Sequence, residues 1–103
     1  MPYKIKKLKS FSKNVFSADK ALYALSPKAA DNFFNDYSLK SKAIEKNPYM
    51  YQAFDDDPYF RSAPLLYGYR LFYHIDDLRK LIIFHRVIHG AWDLATHLAN
   101  EKH

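Results

Sequence analysis

YRLFYHIDDLRKLIIFHRVIHG, residues 69–90, is the stretch that decides the fold. Tyr69, Leu71, Tyr73 and Ile75 alternate with Arg70, Phe72 and His74, and a period of two belongs to a strand. Asp76-Asp77-Leu78-Arg79-Lys80 is a polar hairpin connection. Leu81 to Ile88 is the most apolar run of the chain and is expected to be the central strand, apolar on both faces. His89-Gly90 breaks it. Beyond the break, Ala91 to Glu101 is expected to form a short final helix with Trp92, Ala95 and Leu98 facing inward.

Upstream the period stays short for one more element. Gly68 marks a turn, and Arg61 to Leu66 reads as a strand that Pro64 shortens or interrupts. Tyr49 to Tyr59, rich in Tyr, Asp and Pro, reads as a loop. Before it the period becomes helical. Ser26-Pro27 supplies an N-cap serine followed by proline at the first helical position. Ala30, Phe33, Phe34, Tyr37 and Ile44 then share a stripe, and Asn47-Pro48 ends the helix because the residue before proline is pushed out of the α region. An earlier helix, with Ser12 as its expected cap, carries Val15, Ala18, Leu22 and Leu25 at helical spacing. Tyr3 and Ile5 alternate with Lys4 and Lys6, a short first strand whose outward lysines discourage edge-to-edge pairing. The expected fold class is α+β. It has an N-terminal strand, a helix hairpin packed on a twisted, mostly antiparallel sheet, and a short C-terminal helix. Residues 1–103 are expected to form a single domain.

Composition narrows the function classes. With 49% hydrophobic and 17% aromatic residues, the 103-residue chain can bury one core, which excludes wholesale disorder. No apolar run approaches the roughly 18 residues of a membrane span, so no membrane role is expected. Met1 to Lys13 is basic without an apolar stretch behind it, unlike a secretory signal. Cysteine is absent, so neither a disulfide scaffold nor a zinc-thiolate site can form. These features suit the cytoplasm. The net charge of +5 points to an acidic partner, and the lysines at 4, 6, 7, 9 and 13 all precede the first acidic residue, Asp19.

Few residues offer chemistry. His85 and His89 are four apart, about 13 Å on a strand at roughly 3.3 Å per residue, too far to share one metal ion. No serine precedes a tight glycine-flanked turn. With Gly68 and Gly90 as the only glycines, no phosphate-cradling loop can be built, and no cofactor is expected. Asp55-Asp56-Asp57 lacks the spaced ligands of a calcium loop and reads as a solvated turn. Arg70 and Arg86 stand out, because a charge inside an apolar strand is costly unless paired or lifted to the surface. They are either paired with a carboxylate such as Asp93 or Glu101, or part of a cationic groove for phosphates or carboxylates with tyrosines nearby.

Tyr69-Arg70-Leu71-Phe72-Tyr73-His74-Ile75-Asp76, a short charged turn, and Phe84-His85-Arg86-Val87-Ile88-His89-Gly90-Ala91-Trp92-Asp93-Leu94 together resemble the RelE/ParE toxin superfamily of bacterial type II toxin–antitoxin modules. Ser26-Pro27-Lys28-Ala29-Ala30-Asp31-Asn32-Phe33-Phe34 is similar to the opening of a family helix. The resemblance spans about residues 26–98. It implies an antitoxin whose extended segment wraps and neutralises the toxin. It also implies one of two activities: poisoning of DNA gyrase in ParE-like, plasmid-stabilisation members, or ribosome-dependent mRNA cleavage in RelE-like ones. In the RelE-like case Arg70, Arg86 and His89 would be the catalytic residues. The sequence leans to ParE, since Phe54-Asp55-Asp56-Asp57-Pro58 replaces the lysine-rich segment of RelE, and the ending from His89 to Leu94, with His97-Leu98-Ala99, is more like ParE. A non-toxic binding module of the same fold is the remaining alternative.

Overall fold

The computed structural model describes residues 2–90. The expected helix over residues 91–101, with Trp92, Ala95 and Leu98, lies outside them, as do Asp93 and Glu101. In chain order the elements are β1 (Lys4–Lys7), α1 (Lys9–Leu25), α2 (Pro27–Lys46), β2 (Ala53–Phe54), β3 (Asp57–Pro64), a 3-10 turn (Leu66–Gly68), β4 (Tyr69–Asp76) and β5 (Leu81–His89). The five strands form one sheet in the order β1-β5-β4-β3-β2. β1 runs parallel to β5, and every other pairing is antiparallel. The expected α+β layering is therefore observed. The most apolar strand, β5, lies between β1 and β4, while β4 rather than β5 holds the middle of the sheet.

Both helices pack on one face. Phe11, Ala18 and Leu22 of α1 and Ala30, Phe33, Tyr37 and Ile44 of α2 join Leu71, Tyr73, Ile82, Phe84 and Val87 of the sheet in the main core. Phe11 anchors the join, its ring 5.1 Å from Phe84 and 5.8 Å from Tyr37. Burying such a side chain contributes roughly 1.5–3 kcal/mol. Ser26 caps α2 as its sequence suggests, its Oγ accepting from the Ala29 amide at 3.3 Å, with Pro27 in the first turn. Asn47 closes the other end.

Several local expectations fail for reasons the packing supplies. Ser12 is not a cap. α1 starts at Lys9, and the Ser12 amide already donates to the Leu8 carbonyl, because the chain turns directly from β1 into the helix. Leu25 and Phe34, on the predicted apolar stripes, are exposed, since α1 ends at Leu25 and Phe34 faces away from the sheet-side stripe. The segment from 49 to 59 is not all loop. Asp55 and Asp56 form the tip of a hairpin between β2 and β3, and Pro64 ends β3 instead of interrupting it.

α1 also completes the sheet. β1 pairs with β5 from Leu81 to Phe84, and α1 then takes over. Ser10 Oγ donates to the His85 carbonyl at 3.0 Å, and Asn14 Oδ1 accepts from the Val87 amide at 3.3 Å. Two backbone groups that lack a strand neighbour are thereby satisfied, as buried backbone polar groups must be.

Candidate functional site

The second face of the sheet carries no helix among the described residues. Strand alternation sends Phe72 of β4 to this side, where it clusters with Phe60 of β3 and Ile88 of β5 under Phe54 of β2. Arg70 pairs with Ile88 and so shares this face. Its Nη2 donates to Ser62 Oγ at 2.8 Å, and its buried Nε has no hydrogen-bond partner among the described residues. Such a donor is costly to bury unless something accepts from it. Arg70 lines an open groove of about 700 Å³ with Phe54, Asp55, Asp56, Ser62 and Pro64. Among the described residues Arg70 is the one cation lining it, and two carboxylates stand on its rim.

Arg86 joins Arg70 by strand alternation, since Arg70 faces Ile88 and Phe72 faces Arg86 in unbroken register. The register shifts between Phe72 and Tyr73, which face Arg86 and Phe84, leaving His85 as the extra residue of β5. Arg86, paired with Phe72 ahead of that shift, lies on the same face, one diagonal step from Arg70, about 7–8 Å in such a ladder. His85 also turns to this face. It is buried, with its ring 5.1 Å from Phe60 and 6.0 Å from Tyr59.

His89 goes the other way. Its register partner is Tyr69, whose ring lies 5.0 Å from the His89 ring and 5.2 Å from Phe33 of α2. The fold thus brings Arg70 and Arg86 together and sets His89 on the helix side. The bulge separates His85 and His89 in the same way, so their rings sit on opposite faces as well as far apart along the strand.

A second polar constellation, not foreseen from the sequence, sits at the other end of β4. Asp77, in the β4–β5 turn, accepts hydroxyl hydrogens from both Tyr3 and Tyr49. The Tyr3 bond, then the Tyr49 bond, holds the Asp77 carboxyl below its ordinary range, and both phenols are pushed up in turn by that same carboxylate. Tyr73 is pushed up to about 12, chiefly by burial, and donates to the Pro48 carbonyl at 2.7 Å. Only Asp77's place beside a turn was visible in sequence. Ser62 had a signal, a lone hydroxyl within an otherwise apolar strand stretch, but nothing local tied it to Arg70.

Comparisons with known proteins bear on the fold. No family model matches the chain, and no curated protein matches it. Solved structures do. The chain is similar to one from the crystal structure of the toxin–antitoxin complex RelBE2 of Mycobacterium tuberculosis, with a TM-score of 0.56 and 19% identity over 86% of this chain and 99% of that one. It is also similar to a mutant of the E. coli toxin RelE in the free state, with a TM-score of 0.53 and 18% identity over 98% of this chain and 94% of that one. The fold is RelE-like.

Proposed function

We propose that this chain, as one domain over residues 1–103, is the toxin component of a cytoplasmic type II toxin–antitoxin module, neutralised by an antitoxin with an acidic segment. We further propose that it arrests growth in the ParE-like manner, by binding DNA gyrase rather than by cutting RNA. The observation that supports the second step is the composition of the Arg70 groove. Cleavage of a phosphodiester needs cations converging on the phosphate and a proton-transfer group beside them. Here the tip carboxylates of Asp55 and Asp56 line the groove with Arg70, and the His89 ring lies across the sheet from it.

The second reading is a RelE-like, ribosome-dependent mRNA endonuclease, with Arg70, Arg86 and His89 as its catalytic residues. It is favoured by the structural neighbours, the E. coli toxin RelE and a chain of the RelBE2 toxin–antitoxin complex. It is also favoured by the shared face of Arg70 and Arg86.

The deciding experiment expresses the chain in bacteria and follows DNA damage and message integrity together. The gyrase reading expects DNA damage with intact transcripts. Codon-phased cuts in mRNA that disappear in a folded Arg70→Ala variant would replace it with the nuclease reading. Normal growth at high soluble expression would leave only the binding module. In a mixture with the antitoxin, rising salt should slow association, because exposed charge pairs are screened.

A further inference from the structure

β1 is an edge of the sheet, with β5 as its one strand neighbour among the described residues. The Lys4 and Leu8 amides donate to the carbonyls of Lys80 and Phe84. Residues that bond to β5 alternate along a parallel strand, so the amides and carbonyls of Ile5 and Lys7 point outward from the sheet. Such an edge is a template for another strand. Lysines mark it on both sides. Ile5 packs on the core, so Lys4 and Lys6 project to the face away from the helices. Lys7 projects to the helix side, its ammonium 5.5 Å from the centroid of the Tyr37 ring.

This edge and α2 border an open groove of about 510 Å³. Phe34 lies along it, 52% exposed, its ring 5.9 Å from that of Tyr37. Lys4, Lys7 and Lys42 line the groove against a single carboxylate, Glu45. Among the described residues none of these lysines forms an ion pair. Outward backbone donors and acceptors, an apolar anchor and an excess of positive charge thus meet in one place.

We propose that an extended acidic segment of a partner protein docks here as a sixth strand, antiparallel to β1, with one apolar side chain in the groove. Main-chain hydrogen bonds to Ile5 and Lys7 hold it, and its alternate side chains give the specificity of a strand addition. Residues directly opposite share a face, so the segment reads acid, acid, apolar, acid as it passes Lys7, Lys6, Ile5 and Lys4. Its apolar residue then meets Ile5 and Phe34. A second copy of this chain is the wrong occupant. Its β1 would set lysine against lysine, which destabilises a strand pair. Nucleic acid matches the charge but offers no ladder of alternating donors and acceptors. Naming the partner as the antitoxin rests on the function proposed above, whereas the docking chemistry does not.

The test is an NMR titration of the full chain with a short synthetic peptide built on that acid, acid, apolar, acid core. Saturable shifts centred on Ile5, Lys7 and Phe34 are expected. Hydrogen exchange should slow at the Ile5 and Lys7 amides, and affinity should fall as salt rises. Lys7→Glu together with Lys42→Glu should weaken binding roughly tenfold, because reversal turns modest exposed attractions into repulsions. A peptide with lysines in place of its acids should then prefer the double variant to the wild type. Lys7→Gln removes the charge alone, whereas Lys7→Pro also removes the outward amide at an edge where proline is tolerated, so the proline variant should lose more. If that variant misfolds, exchange protection in the wild type decides. Equal binding of a scrambled peptide, tighter binding of a single-stranded RNA of equal charge, self-association through β1, or peptide shifts centred on Arg70 each overturn the proposal. Growth arrest without peptide binding removes the docking and leaves the toxin reading standing, and peptide binding without arrest does the reverse.

Discussion

β4 shows both faces of this molecule within eight residues. Leu71 and Tyr73 point into the core beneath the helices and are fully buried, and the one polar atom there, the Tyr73 hydroxyl, has the Pro48 carbonyl as its acceptor. Arg70 and His74 point the other way, flanking Phe72. Arg70 donates to Ser62 Oγ, and His74 stacks on Tyr59 beside an open pocket. The helix face has its polar groups paired within the chain. On the other face, Arg70 keeps a buried donor whose partner does not lie among the described residues, and binding chemistry needs such groups.

Truncating the helix-side core is the most severe way to probe that contrast. Phe84→Ala, at a fully buried ring packed on Phe11, should cost about 3–5 kcal/mol in urea unfolding. A loss under about 1 kcal/mol would mean that this face is not the one that holds the fold. Next comes the corner where the faces meet. Gly68 has φ of 81°, and a Cβ there would lie 3.0 Å from His89 Nε2. Gly68→Ala should therefore destabilise by more than about 1 kcal/mol, read as a lowered midpoint with an unchanged slope.

On the face that carries no helix among the described residues the expected stability effect is smaller. Arg70→Met removes the unpartnered donor and keeps the stem, so the unfolding free energy should move by less than about 1 kcal/mol while growth arrest is lost. Equal loss of stability and toxicity would make Arg70 a packing residue and erase the contrast. The smallest effect belongs to Asp77. Its carboxyl is depressed below the ordinary 3.8 by the phenol hydrogen bonds. The ionised form is therefore favoured by folding, so its contribution is complete above about that pH and disappears as pH falls through the lower folded value. Thermal melts of wild type and Asp77→Asn should differ slightly at pH 6 and converge toward pH 2. A difference that grows on acidification has the wrong sign for this account.

Much of the fold was legible in sequence. The alternation at Tyr69–Ile75, the Ser26-Pro27 start and the Asn47-Pro48 stop are found where the residues place them, since period and capping depend on neighbours within a few positions. The start of α1 was misread because Ser12 offers a good cap, yet the close turn out of β1 leaves no room for a leader before it. The two-residue hairpin tip at Asp55-Asp56 was hidden because β2 is only two residues long, too short for alternation to show.

The candidate site was legible only as a list of residue types. Arg70 and Arg86 were suspect from sequence because a guanidinium inside an apolar strand demands an explanation. The register that sets Arg86 beside Arg70 and His89 on the other face depends on how β5 pairs with β4, and a one-residue slip reverses every side chain. The Asp77 clamp joins residues 74 positions apart, and Arg61 of β3 meets the Tyr49 ring and the Tyr51 carbonyl only when the loop after α2 folds against the sheet. Local pattern determined which segments are helix and strand, because those choices are made by short-range sterics and hydrogen bonds. Strand order, the parallel β1–β5 pairing and the grouping of charges were decided by the tertiary structure, because they arise from contacts between segments that the sequence alone does not place beside one another.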